Sequence, residues 1–204
     1  MVCIRRANAV AHLMQLVYVT PWGVACIFTR QGANTHSRSG GTPMRIDVDA
    51  HVDETDVTWD YLRDADAAHK PVTVDPGMAT VPGDQRPHRL WLIDGSTARL
   101  RRWRDDVRTG TVQATRELAD VSARLAQMDE LNVDVQILYP TLFLGGYTAR
   151  QEVEVALTRA YNRWMASATQ TSGGRLRWVA LPSMLDIDSA VAERGATLSV
   201  GQRQ

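Results

Sequence analysis

The sequence predicts an α/β fold in which strand–helix–strand units build a parallel sheet, and three observations carry that prediction. Three segments read as strands: 45–52 and 133–139 alternate polar and apolar residues with a period of two, and 176–181 is closed by Pro182. Between them run two helical stripes, with apolar residues recurring at three- and four-residue steps. Connections of this length join parallel strands rather than hairpins, so the units are βαβ, and right-handed crossovers then make either a barrel or a doubly wound sheet.

The first strand is Arg45-Ile46-Asp47-Val48-Asp49-Ala50-His51-Val52, whose alternation puts Asp47, Asp49 and His51 on one face. From Lys70 to Gly110 the chain carries Pro71, Pro76, Pro82, Pro87 and several glycines. It therefore reads as a loop-rich insertion with one short strand at Leu90-Trp91-Leu92-Ile93, closed by an Asp94-Gly95 turn signal. Leu118, Val121, Leu125, Met128 and Leu131 then form one apolar stripe, which Asn132 ends. Val133 to Tyr139 alternates as a strand and stops at Pro140, which has no N–H for a sheet ladder. Thr148 and Gln151 have capping-box spacing ahead of a long stripe of Val153, Ala156, Leu157, Ala160, Tyr161, Trp164, Met165 and Ala168. Gly173-Gly174 supplies the stop, Leu176 to Leu181 the third strand, and Asp186 or Asp188 a cap for a helix running to Glu193.

The two ends of the chain read differently. Arg5 and Arg6 precede a stretch, Ala7 to Thr29, without Lys, Arg, Asp or Glu, in the outline of a signal-like segment. His12, Gln15, Pro21 and Gly23 interrupt it, and residues 31–43 are rich in Gly, Ser, Thr and Asn. Residues 1–43 are thus expected to be a poorly ordered extension, 44–193 the domain, and 194–204 an irregular tail that resumes neither helix nor strand.

Lys plus Arg and Asp plus Glu balance at 23 each, so no overall field draws the chain to nucleic acid or to a membrane surface. Arg99, Arg101, Arg102, Arg104 and Arg108 do surround Trp103, but Asp105 and Asp106 break the cluster, which reads as a salt-bridged, solvated surface. Cys3 and Cys26 form no CxxC, which speaks against a disulfide scaffold and fits a reducing cytoplasm. No GxSxG, P-loop, GxGxxG or HExxH is present, so nothing points to a nucleophile elbow, a nucleotide fold or a zincin.

One cluster of metal-ligand residue types remains: Asp47-Val48-Asp49-Ala50-His51. A carboxylate and an imidazole two apart on a strand project the same way, and both can reach one cation. The same pair also serves simply to end a strand, and spacing alone does not choose between the two readings.

The run Met44 to Glu54, with Trp59 and Tyr61 behind it, resembles the start of the amidohydrolase-related group that includes aminocarboxymuconate-semialdehyde and resorcylate-type decarboxylases. Further segments agree in order and spacing: Arg124 to Asp129, Val133 to Thr141, Ala160-Tyr161-Asn162-Arg163-Trp164 and Leu176 to Pro182. The resemblance covers about residues 44–193 and implies the N-terminal half of a TIM (β/α) barrel, because a full barrel takes about 250 residues. It implies a divalent ion, zinc or manganese, with Asp49 and His51 as ligands in a carboxylate-x-His variant of the family's first-strand motif. Asp47 is then a candidate to orient His51 from behind, and Tyr139 and Thr141, at a strand's C-terminal end, are candidates to line a pocket.

The family takes a further histidine from a middle strand, yet His12, His36, His51, His69 and His88 are the only histidines, so none is available after residue 88. No position matches the family's general acid or base. The expectation is therefore a metal-dependent hydrolase or non-oxidative decarboxylase of a small carboxylic or aromatic acid, present as a truncated, inactive fragment. The alternative is a non-catalytic interaction protein that associates with itself through the open edge of a partial barrel.

Overall fold

The computed structural model describes residues 27–28, 44–75, 89–95, 97–101 and 106–186. In chain order the strands are β1 (Ile27–Phe28), β2 (Ile46–His51), β3 (Val72–Val74), β4 (Arg89–Ile93), β5 (Thr97–Arg101), β6 (Val135–Tyr139) and β7 (Leu176–Ala180). The helices are α1 (Asp56–Trp59), α2 (Asp106–Thr109), α3 (Gln113–Arg116), α4 (Val121–Glu130) and α5 (Gln151–Ala168).

The three expected strands become β2, β6 and β7, and they do run parallel, in a four-stranded sheet of order β1-β7-β6-β2. Helix α5 crosses from β6 to β7, and α4 leads into β6. On the far edge β1 pairs antiparallel with β7. Of the expected N-terminal extension, only β1 is described; the expected helix after Asp186 and the tail at 194–204 lie outside the described residues.

The described residues of 70–110 hold more strand than the prolines of that segment predict. It forms a second, antiparallel sheet of order β3-β4-β5. Only β4 was legible, because β3 is three residues long and β5 carries two arginines in five residues; both pair with β4. Asp94 and Gly95 turn the chain between β4 and β5 with φ of 55° and 67°, a left-handed pair that an Asp-Gly sequence tolerates.

Helix α4 starts later than its stripe. Leu118 sits at φ 53°, outside the helix, and Asp120 caps it by accepting the N–H of Ala123 at 2.8 Å. Asn132, at φ 54°, ends it as expected. The capping box at Thr148 and Gln151 does not form: Arg150 is the residue at the cap, and the Thr148 hydroxyl accepts the Arg150 N–H instead. The stripe on α5 is buried from Val153 to Met165, with Val153, Leu157 and Met165 contributing roughly 2 kcal/mol each by area.

Aromatic rings tie the two sheets into one core. Trp91 of β4 meets Trp59 of α1 edge-on at 5.7 Å, Trp59 meets Phe143 at 6.2 Å, and Phe143 meets Tyr161 of α5 at 5.4 Å. Tyr161 in turn contacts Trp178 of β7 at 6.3 Å. Trp164, from the same motif, is 3% exposed and packs into this core rather than facing a ligand. No described helix is long and apolar enough to cross a membrane.

Candidate metal centre

Strands β2, β6 and β7 are parallel, so their C-terminal ends open onto the same side, where α/β sheets place their chemistry. His51 is the last residue of β2 and pairs across to Tyr139, the last of β6. The two rings stand 5.9 Å apart and tilted. The Nδ1 of His51 lies 3.1 Å from the carbonyl oxygen of Pro140, an acceptor only, so Nδ1 carries a hydrogen, and in the neutral imidazole Nε2 is then the lone-pair nitrogen. That Nε2 faces Asp49 Oδ1 at 3.7 Å, and the Asp49 side chain is 93% exposed. Two ligands of one tetrahedral zinc lie about 3.4 Å apart, given bonds near 2.1 Å, so the pair needs only a small side-chain adjustment to share a cation. The donor set fits the ion in kind, one carboxylate oxygen and one neutral imidazole nitrogen. Among the described residues no group of three metal-ligand side chains assembles.

Asp47 is not behind His51. The β2–β6 register slips between Asp47 and Ala50, where three steps on β2 match two on β6. Because side chains alternate, one extra residue sends Asp47 to the face opposite His51. There its Oδ2 accepts from Gln136 Nε2 at 3.0 Å, and its Oδ1 accepts the Asp49 N–H at 3.1 Å. The expectation that Asp47, Asp49 and His51 share a face fails on this bulge, which no period-two pattern announces. Thr141 is likewise committed, its hydroxyl donating to the Val52 carbonyl at 2.6 Å.

Three groups missed in the sequence hold the centre. Arg124 of α4, 7% exposed, donates to Gln136 Oε1 at 3.0 Å, to the Thr115 carbonyl at 3.0 Å and to the His51 carbonyl at 3.1 Å. Burial pulls its guanidinium down to about 10, against the opposing pull of Asp47 and Asp53, so it stays charged at neutral pH. Its signal was available: Arg124 stands three residues after Val121 and four before Met128, a charge on the apolar stripe.

Glu54 and Pro140 are the other two. Glu54, 4% exposed, accepts the N–H of Thr141 at 3.1 Å and of Leu142 at 2.9 Å. Burial pushes its carboxyl up to about 7, although the Leu142 and Thr141 N–H groups pull the other way. In Val52-Asp53-Glu54-Thr55 nothing distinguishes it from a solvated loop acid.

The next unit repeats this construction. Glu154 of α5, 8% exposed, accepts from the Ser183 hydroxyl and from the Leu185 N–H, both at 2.7 Å, and so ties down the chain after β7. Burial and the nearby Glu154 charge raise the Tyr147 phenol well above its ordinary range.

No family model matches the chain, and no curated protein does. Among solved structures, an amidohydrolase from Mycobacterium avium subsp. paratuberculosis K-10 superposes with a TM-score of 0.53 at 19% identity, covering 78% of this chain and 48% of that one. The chain thus spans about half the length of that protein. A likeness at this identity is one of fold alone: the mixed α/β unit with its three parallel strands shares the architecture of part of that protein.

Proposed function

We propose that the chain carries the opening strand of a metal centre in a partial amidohydrolase-type barrel. The whole catalytic unit then acts as a metal-dependent hydrolase or non-oxidative decarboxylase on a small carboxylic or aromatic acid. The observation that carries this reading is the His51–Asp49 pair, in which a main-chain carbonyl holds Nδ1 and leaves Nε2 beside an exposed carboxylate. Metal-binding histidines are commonly oriented in this way. When bound, zinc or manganese supplies Lewis-acid polarisation of a substrate carboxylate or carbonyl and a more acidic water. The chain's own contribution is to present one negative oxygen and one neutral nitrogen at the sheet's C-terminal end.

A catalytic zinc site has three protein ligands, and the described residues offer two, so this pair by itself holds an ion weakly. Calorimetric titration with zinc and with manganese tests the reading. One weak site is expected in the wild type, abolished in Asp49→Asn and in His51→Asn; equal binding by wild type and both variants would sink it.

A second reading, association with another copy of the chain, rests on β2. Among the described residues it pairs only with β6, and Met44, Ile46 and Val48 are 69%, 48% and 60% exposed along it. A strand edge is self-complementary about a twofold axis, and the bulge after Asp47 confines such pairing to residues 44–47. Light scattering decides: a dimer dispersed by Ile46→Lys supports it, and a monomer at every concentration refutes it.

A further inference from the structure

Beside the contact of the Thr141 hydroxyl with Asp53 Oδ1 at 3.3 Å, five hydrogen bonds join the end of β2 to the end of β6 and the loop after it. Four fasten main chain: Val52 N–H to the Tyr139 carbonyl at 3.0 Å, the Thr141 hydroxyl to the Val52 carbonyl at 2.6 Å, and the Thr141 and Leu142 N–H groups to Glu54. The fifth fastens a side chain, His51 Nδ1 to the Pro140 carbonyl.

Two of these bonds belong to one peptide unit. The carbonyl of Pro140 and the N–H of Thr141 lie in a single rigid plane, and in a trans peptide they point in opposite directions. That plane swings by a paired change in ψ of Pro140 and φ of Thr141, the two soft dihedrals that flank it. Glu54 Oε1 grips the N–H on one side of the plane, and the carbonyl on the other side therefore aims at the imidazole. The second oxygen of Glu54 grips the following N–H, of Leu142, which stops the plane from tipping. Asp47, the other candidate for this task, lies across the bulge and is bound to Gln136.

We propose that Glu54 is a positioning residue for His51: it orients the Pro140–Thr141 peptide so that its carbonyl holds Nδ1–H and leaves Nε2 as the lone-pair nitrogen beside Asp49. The use of that lone pair for a metal rests on the reading above. The coupling between Glu54 and the imidazole is a property of the metal-free chain.

Nitrogen NMR of the histidine side chains in metal-free protein tests it, with His51→Asn to assign the signal. The wild type is expected to hold His51 in the Nδ1–H tautomer, and Glu54→Ala to move it toward Nε2–H. Glu154→Ala is the control, because it removes a buried carboxylate that pins the neighbouring loop without touching the Pro140 peptide, and it should leave the tautomer unchanged. A folded Glu54→Ala protein with His51 unaltered, or an equal shift in Glu154→Ala, overturns the proposal. Should Glu54→Ala fail to fold, the wild type decides alone: His51 as Nε2–H, or a Thr141 amide that exchanges at the rate of free chain, overturns it equally. Zinc titration runs alongside, and a loss of about tenfold in affinity on removing Glu54 is expected for an orienting partner. Tautomer coupling without any zinc binding would end the metal reading and leave the positioning role standing.

Discussion

The side-chain amide of Asn162 pairs with the main chain of Leu181 as a strand neighbour would, its Nδ2 donating to the Leu181 carbonyl at 2.8 Å and its Oδ1 accepting the Leu181 N–H at 2.9 Å. Helix α5 thereby fixes the point where the chain leaves β7, just before Pro182 and the Ser183–Glu154 contact. Asn162→Ala strands both main-chain groups and is expected to cost about 2 kcal/mol. Asn162→Asp keeps the acceptor and turns an oxygen on the carbonyl, so it should cost at least as much. Urea denaturation of both variants checks this, and a loss below about 0.5 kcal/mol would show that the pairing is dispensable.

Arg124 should be replaceable by no other side chain. Arg124→Lys keeps the charge but cannot reach three acceptors at once, and Arg124→Met leaves Gln136 Oε1 and the carbonyls of Thr115 and His51 without their donor. Each is expected to lose about 3 kcal/mol, the cost of breaking a buried charged network. The same urea curves measure it, and the His51 NMR signal should broaden in both variants because its main-chain anchor is gone.

Glu54 predicts the direction of a pH effect. Its folded pKa, near 7, lies above the unfolded value of 4.5, so folding favours the protonated form. The stabilisation from that form is complete below pH 4.5 and is lost as pH rises through 7, which by linkage amounts to about 3 kcal/mol between those limits. Denaturant midpoints between pH 5 and pH 8 should therefore fall in the wild type more steeply than in Glu54→Gln. Parallel slopes would show that Glu54 ionises as a solvated acid does.

Single-stranded DNA should not bind. Arg101, one of the described members of the arginine cluster, already contacts Asp56 at 3.0 Å and Thr73 at 2.8 Å, and it lies 4.6 Å over the Trp91 ring. Fluorescence anisotropy with a labelled oligonucleotide at low ionic strength is expected to show no change. Binding that weakens steeply with salt would restore the cluster as an anion surface.

What the sequence determined by itself is the local periodic part of the protein. The period of two in 45–52 and 133–139 and the stripe from Val153 to Met165 define β2, β6 and α5, because alternation and helical spacing each state which side of an element is to be buried, and Pro182 closes the run that becomes β7. Asn132 and Asp94-Gly95 were legible for a related reason: a left-handed backbone admits few residue types. Tertiary structure decided the rest. A one-residue bulge reversed the face of Asp47, β3 and β5 pair with β4, and the groups around His51 come from positions 54, 124 and 140. Periodicity reports burial within one element, whereas a register slip, a buried carboxylate and the direction of a distant carbonyl are set by contacts between elements, which leave no period in the chain.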